Sequence, residues 1–173
     1  MSDPAPTVRT GGVTGRAGAE TGMSASRDGS VVGDARVREE RRAALRDLLP
    51  AVERLRGVRS VVWSGGGQNE DGSYNLRYPI YDRDTEKVME VCNGGVLTDV
   101  EYRRTLQRRG GHGMGSRAPD LVALARDSDE ELTVALLTWM MRSERFSEGD
   151  VAAALESGAL VALLDRLREL YDM

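Results

Sequence analysis

The chain has 173 residues, a net charge of −4, and a single cysteine, histidine and phenylalanine. Cys92 alone cannot close an intramolecular disulfide, and these counts exclude metal sites built on paired Cys or His. The length suits one compact domain. With no apolar run of signal-peptide length behind Met1 and none near the roughly 18 residues of a membrane span, a cytoplasmic protein is expected.

Residues 1–35 are rich in Gly, Ser, Thr, Ala and Pro and contain no Leu, Ile or aromatic residue. Too little apolar surface is present to offset the ordering entropy, about 1–2 kcal/mol per residue, so the segment reads as a disordered tail. Residues 36–173 then form a single α+β domain.

From Ala35 to Arg56, the residues Val37, Leu45, Leu48, Leu49, Val52 and Leu55 recur at helical spacing and predict an amphipathic helix. Pro50 lies inside it, at a cost of about 3 kcal/mol, which predicts a kink or two short helices meeting near Leu49. Gly57 ends the element. The β-branched and aromatic run RSVVWSGGG, 59–67, reads as a strand, and Tyr74, Leu76, Tyr78 and Ile80 alternate along a second one. Together they predict an antiparallel hairpin with a loop of about seven residues, in which Pro79 assigns the second strand to an edge or a bulge.

Asp82 is an N-cap candidate for a helix that places Val88, Val91 and Cys92 on one face and closes at Asn93-Gly94-Gly95. Cys92 itself reads as a small apolar residue. Thr98 with Glu101 forms a capping-box pattern, predicting another helix from residue 99. The glycine run at 110–119 reads as a mobile surface loop; it lacks the Lys-Ser/Thr ending of a phosphate-cradling loop and is not expected to join a strand to a helix.

DLVALARDS gives a short helix, and Ser128 with Glu131 forms a second capping box before ELTVALLTWMMRSERF, whose apolar residues run almost all round and place it centrally. Ser147 and Asp150 are alternative N-caps for the next helix, which ends at Gly158. Leu160, Leu163, Leu164, Leu167 and Leu170 form the seam of the last one. The fold predicted is α+β, mainly a bundle of about five or six helices with one small antiparallel hairpin packed against it.

Charge is uneven: residues 36–59 carry eight Arg against four acids, and residues 120–173 carry five Arg against twelve. Solvated helix faces produce such counts, and so does an acidic surface that steers a partner. His112, in the glycine loop, has no nucleophile or acid at a recognisable spacing. Glu144 and Glu148, one helical turn apart if the helix continues, form a carboxylate pair that suits general acid–base work where burial pushes their pKa values apart, but Glu148 equally suits the positive end of the following helix. Arg103, Arg104, Arg108, Arg109 and Arg117 beside the glycine loop suit nucleic-acid phosphates, against an acidic overall balance.

RSERFSEGD, 142–150, admits two readings. In the first it is a structural corner of Phe146, Glu148 and Gly149: Phe146 packs back on the core, Gly149 permits a tight turn, and Arg142 and Arg145 pair with Glu144, Glu148 or Asp150. In the second it is a ligand pocket, where Arg142, Glu144 and Arg145 with Tyr78 and Tyr81 read a carboxylate or phosphate.

LLTWMMRSERFSEGDVAAALESGALVALLDRLREL, 136–170, resembles the C-terminal signature of a family of small bacterial and phage proteins, domain of unknown function 6508, with Arg142, Arg145, Phe146, Glu148 and Gly149 matching it position by position. YPIYDRDTEKVMEV, 78–91, is similar to that family's Tyr-Pro-x-Tyr strand leading into a helix. The resemblance implies a fold-sized unit and no particular activity. The reading placed first is a non-enzymatic protein-interaction or regulatory module binding a protein through the acidic C-terminal helices. A small-ligand or nucleotide-related enzyme using Tyr78, Tyr81, Arg142, Glu144 and Arg145 comes second, and a nucleic-acid binder using Arg103 to Arg109 third. No cofactor, metal or membrane is expected.

Overall fold

The computed structural model describes residues 28–109 and 121–173, with side chains from residue 35 onward. The glycine loop, His112, Arg117 and the tail over residues 1–27 lie outside them. Helix α1 begins at Asp28 and runs to Leu55, so the last part of the expected tail is helical instead. Once an amphipathic helix is nucleated by its packing, each added residue gains a hydrogen bond at little further cost. Pro50 does not divide α1. Leu48, Ala51, Val52 and Leu55 are buried on both sides of it while Pro50 is exposed, so the lost backbone bond lies on the solvent side and burial holds the helix together.

The described residues form a mainly helical α+β fold with seven helices, rather than about five or six. After α1 and the hairpin come α2 (Arg83–Gly94), α3 (Tyr102–Arg108), α4 (Leu121–Asp127), α5 (Glu130–Ser143), α6 (Asp150–Ser157) and α7 (Ala159–Leu170). Helix α5 packs on α2, α3, α6 and α7, and every residue from Leu132 to Thr138 is buried, which gives it the central place its composition predicts. Gly158, at φ +80°, separates α6 from α7 in a left-handed turn that favours glycine. One core runs from Leu45 in α1 to Tyr171 after α7.

Local capping follows the sequence at α2 and departs from it at α3, α5 and α6, where Gly149 rather than Ser147 or Asp150 takes the N-cap position. Asp82 caps α2, its carboxylate accepting from the Thr85 N–H at 2.8 Å. The Thr98–Glu101 box does not form. Thr98 donates to the Cys92 carbonyl, Asp99 accepts from the Glu101 N–H and the Thr105 hydroxyl, and α3 starts only at Tyr102. Ser128 does not cap α5 either. It is buried and bonds Ala125 and Thr133, leaving Asp129 to accept from the Leu132 N–H at 3.0 Å. In both places an Asp one residue along offers the stronger, charged acceptor.

Four short strands make the hairpin: β1 (Val62–Ser64) pairs antiparallel with β4 (Tyr78–Ile80), and β2 (Gly67–Gln68) with β3 (Tyr74–Asn75). Val62 faces Ile80, Trp63 faces Pro79, Ser64 faces Tyr78 and Gly67 faces Asn75, so both ladders keep one register. The gap between them falls at Gly65 and Gly66, at φ +73° and +75°. A Cβ on Gly65 would collide with the Leu76 carbonyl oxygen, so the close approach of the strands requires glycine there. The loop runs from 69 to 73, shorter than expected, because the Asn69 N–H bonds the Ser73 carbonyl at 2.7 Å and Asp71 accepts from Ser73.

The hairpin packs against the helices as predicted, but the face bearing Val62, Tyr78 and Ile80 does not lie on them. These side chains are 66%, 48% and 50% exposed, and Tyr74 and Leu76 toward the tip are 74% and 78% exposed. The hairpin instead uses its other face. Trp63 reaches Gly149 of the helical body, the Arg77 guanidinium lies 4.8 Å over the Trp63 ring, and the Glu156 carboxylate accepts from the Val61 N–H at 2.9 Å.

Candidate functional site

Helix α5 ends in an arginine-bearing turn, and α6 starts with backbone N–H groups that have no partner inside their own helix. Glu144 meets that need from across the turn. Its Oε1 accepts from the Gly149 N–H at 3.0 Å and its Oε2 from the Val151 N–H at 2.8 Å. Tyr81, arriving from the end of the hairpin, donates to Glu144 Oε1 at 2.6 Å and accepts from the Ala152 N–H at 3.2 Å. Two side chains from distant parts of the sequence thus cap one helix. Burial, and then the hydrogen bond to Glu144, raise the Tyr81 pKa well above the usual phenol value. The hydroxyl is held as a donor, which suits a structural clasp and not a proton acceptor.

Gly149 completes this corner. It has φ +99°, and a Cβ there would run into the Trp63 ring. One glycine therefore sets the turn into α6 and seats the hairpin. Phe146 takes no part: it is 87% exposed and does not pack back on the core. Its ring faces solvent, whereas Met140, Met141 and Val151 nearby in the sequence are buried. Glu148 is exposed, while the expected ion pairing of Glu144 with Arg142 or Arg145 gives way to Tyr81 and the α6 amides.

The five residues of the alternative pocket are dispersed. Tyr81 and Glu144 meet at the corner, Tyr78 stands on the exposed hairpin face and Arg145 is exposed on the turn. Arg142 turns toward α3, its guanidinium 5.5 Å from the centre of the Tyr102 ring. There it lines a surface hollow of about 530 Å³ with Tyr102, Arg103, Arg104 and Gln107, and none of the other four residues borders it. Sequence spacing held no sign of this grouping, since α3 and the end of α5 lie far apart along the chain and meet only through packing.

Most other arginines of the cluster face acids of their own chain. Arg104 pairs with Glu101 at 2.8 Å, Arg108 with Glu131 at 2.7 Å, and Arg109 with Asp129. The basic N-terminal and acidic C-terminal parts also meet. Arg41 reaches Glu130 at 2.9 Å, and Arg56 holds Asp165 through two bonds of 2.5 and 2.6 Å. The charge asymmetry seen along the sequence is thereby turned inward as ion pairs between helices. Cys92 is fully buried, and burial pushes its thiol up to about 12, consistent with a packing residue.

Among the described residues, no helix is long and apolar enough to cross a membrane, and no cluster of His, Cys, Asp and Glu could hold a metal ion. No curated protein and no solved structure matches the chain. A family model does match, over residues 37–173, spanning the helices, the hairpin and the corner: the chain belongs to the family of unknown function DUF6508.

Proposed function

We propose that the chain is a non-enzymatic protein-interaction module whose docking surface is the exposed face of the hairpin rather than the acidic C-terminal helices. The observation that carries this reading is the co-facial exposure of Val62, Tyr78 and Ile80, extended toward the tip by Tyr74 and Leu76. A contiguous apolar patch on a soluble surface marks a contact site, and tyrosines are favoured in interfaces because they offer large, stiff contact area. The outer edges of β1 and β4 have no strand beside them among the described residues, so a partner presenting an extended apolar segment adds a strand while covering the patch. Pro79 removes a donor from the β4 edge, which favours β1 for that pairing. The acidic helices give weaker support, because Glu130, Glu131 and Asp165 already face arginines of this chain. The enzyme reading is weaker too, because Tyr81 and Glu144 are occupied in capping α6.

The test is affinity capture with cross-linking from extracts of the producing cells, comparing the native chain with a Leu76→Asp, Ile80→Asp double variant and with Glu169→Gln. Loss of the captured protein in the double variant alone supports the hairpin surface. Undiminished capture by the double variant removes it.

A further inference from the structure

We propose that the hollow between α3 and the end of α5 is a binding site for a small phosphate ester, gripped by Arg103 and Arg142. Both guanidiniums gather at one ring: Arg142 lies 5.5 Å and Arg103 5.8 Å from the centre of Tyr102, and Arg103 Nε donates to the Tyr102 hydroxyl at 3.0 Å. Tyr102 is itself only 8% exposed and fixed in the core, so it acts as a rigid post for two cationic forks. Neither arginine pairs with a carboxylate among the described residues, unlike Arg104, Arg108 and Arg109 beside them. Two like charges drawn to one post repel each other, and a dianion between them relieves that repulsion while accepting bonds from both planar donor sets.

The size and charge of the hollow narrow the ligand. About 530 Å³ exceeds a bare phosphate and falls within the range of small-molecule sites, which leaves room for an organic group against Val100 and Gln107. A nucleic-acid strand fits poorly. Continuous backbone contact needs a track of free cations, whereas here the flanking arginines are paired and Glu101 borders the hollow. Tyr102 is too buried to stack on a base. This site is separate from the hairpin surface and does not depend on it.

The experiment titrates the full chain with phenyl phosphate, inorganic phosphate and a ten-nucleotide single-stranded DNA, following backbone amide resonances of α3 and α5 by NMR. Saturable phenyl phosphate binding, weakened about tenfold or more by Arg142→Gln and by Arg103→Gln but unchanged by Arg145→Gln, supports the proposal. Circular dichroism confirms that each variant is folded. Three results overturn it: no saturable shift at millimolar phenyl phosphate, affinity unaltered in both the Arg103 and Arg142 variants, or DNA binding tighter than phenyl phosphate with a steep salt dependence.

Discussion

In α5 the residues from Leu132 to Thr138 are buried one after another, whereas in the hairpin Val62, Tyr74, Leu76 and Ile80 are each at least half exposed. Both segments carry an apolar pattern. The difference lies in what each can reach. Helix α5 packs on four other helices, so each turn meets apolar neighbours. The hairpin is anchored at its base, by Trp63 against Gly149 and by Tyr81 against Glu144, and its pleat sends alternate side chains away from that anchor. An apolar pattern thus reports a face that can be covered, while the attachment decides whether this chain covers it.

The sharpest contrast is between truncations in the two regions. Leu137→Ala, at a site with no exposure, should cost about 2–5 kcal/mol in urea unfolding, since the packed core cannot close over the space. Leu76→Ala should change stability by less than about 0.5 kcal/mol. A comparable loss at both positions would mean that the hairpin face is covered in solution. Next in size is Gly149→Ala, where the left-handed backbone and the displaced Trp63 ring together should cost about 1–3 kcal/mol. Faster amide hydrogen exchange across residues 62–80, with α5 still protected, would show that this glycine holds the hairpin to the body.

Tyr81→Phe tests the second anchor. At neutral pH it should cost about 1 kcal/mol, one hydroxyl being removed from the α6 clasp. Its pH signature is more specific. The Tyr81 pKa is raised in the folded state, so the folded chain holds its proton more tightly than the unfolded one. That contribution is complete below the unfolded phenol value of about 10 and is lost as pH rises through the folded value. The variant should therefore lose stability less steeply above pH about 10. Some slope persists, because Tyr171, buried and bonded to Glu130, is raised in the same direction. A parallel alkaline limb in the variant would place the Tyr81 hydroxyl outside the clasp. The smallest effect belongs to Phe146→Ser, which should shift the urea midpoint within about 0.5 kcal/mol of native because the ring is 87% exposed. A loss of several kcal/mol would restore Phe146 as a core anchor.

Much of the helical body is legible residue by residue. The Leu45–Leu55 spacing, the Asp82 cap, the all-round apolar character of α5 and the Leu160–Leu167 seam each rest on contacts within one or two turns of chain. The capping boxes at Thr98 and Ser128 misled because a neighbouring aspartate took over, Asp99 on the Glu101 amide itself and Asp129 on the Leu132 amide one residue further along. RSERFSEGD spans the turn between α5 and α6. Gly149 and Glu144 shape it, but the partners that matter, Tyr81 and Trp63, come from the hairpin, and no spacing within the motif points to them.

The sequence by itself determined a mainly helical α+β chain, its core faces, its family signature and the glycine that the corner requires, because periodicity and backbone preference act over a few residues. Only the tertiary structure decided that the hairpin turns its apolar face to solvent, that the opposite charges of the two ends pair with one another, and that Arg142 leaves Glu144 to join Arg103 at Tyr102. Those outcomes depend on which surfaces the packed helices bring within a few ångströms, and the partners lie tens of residues to more than a hundred apart along the chain.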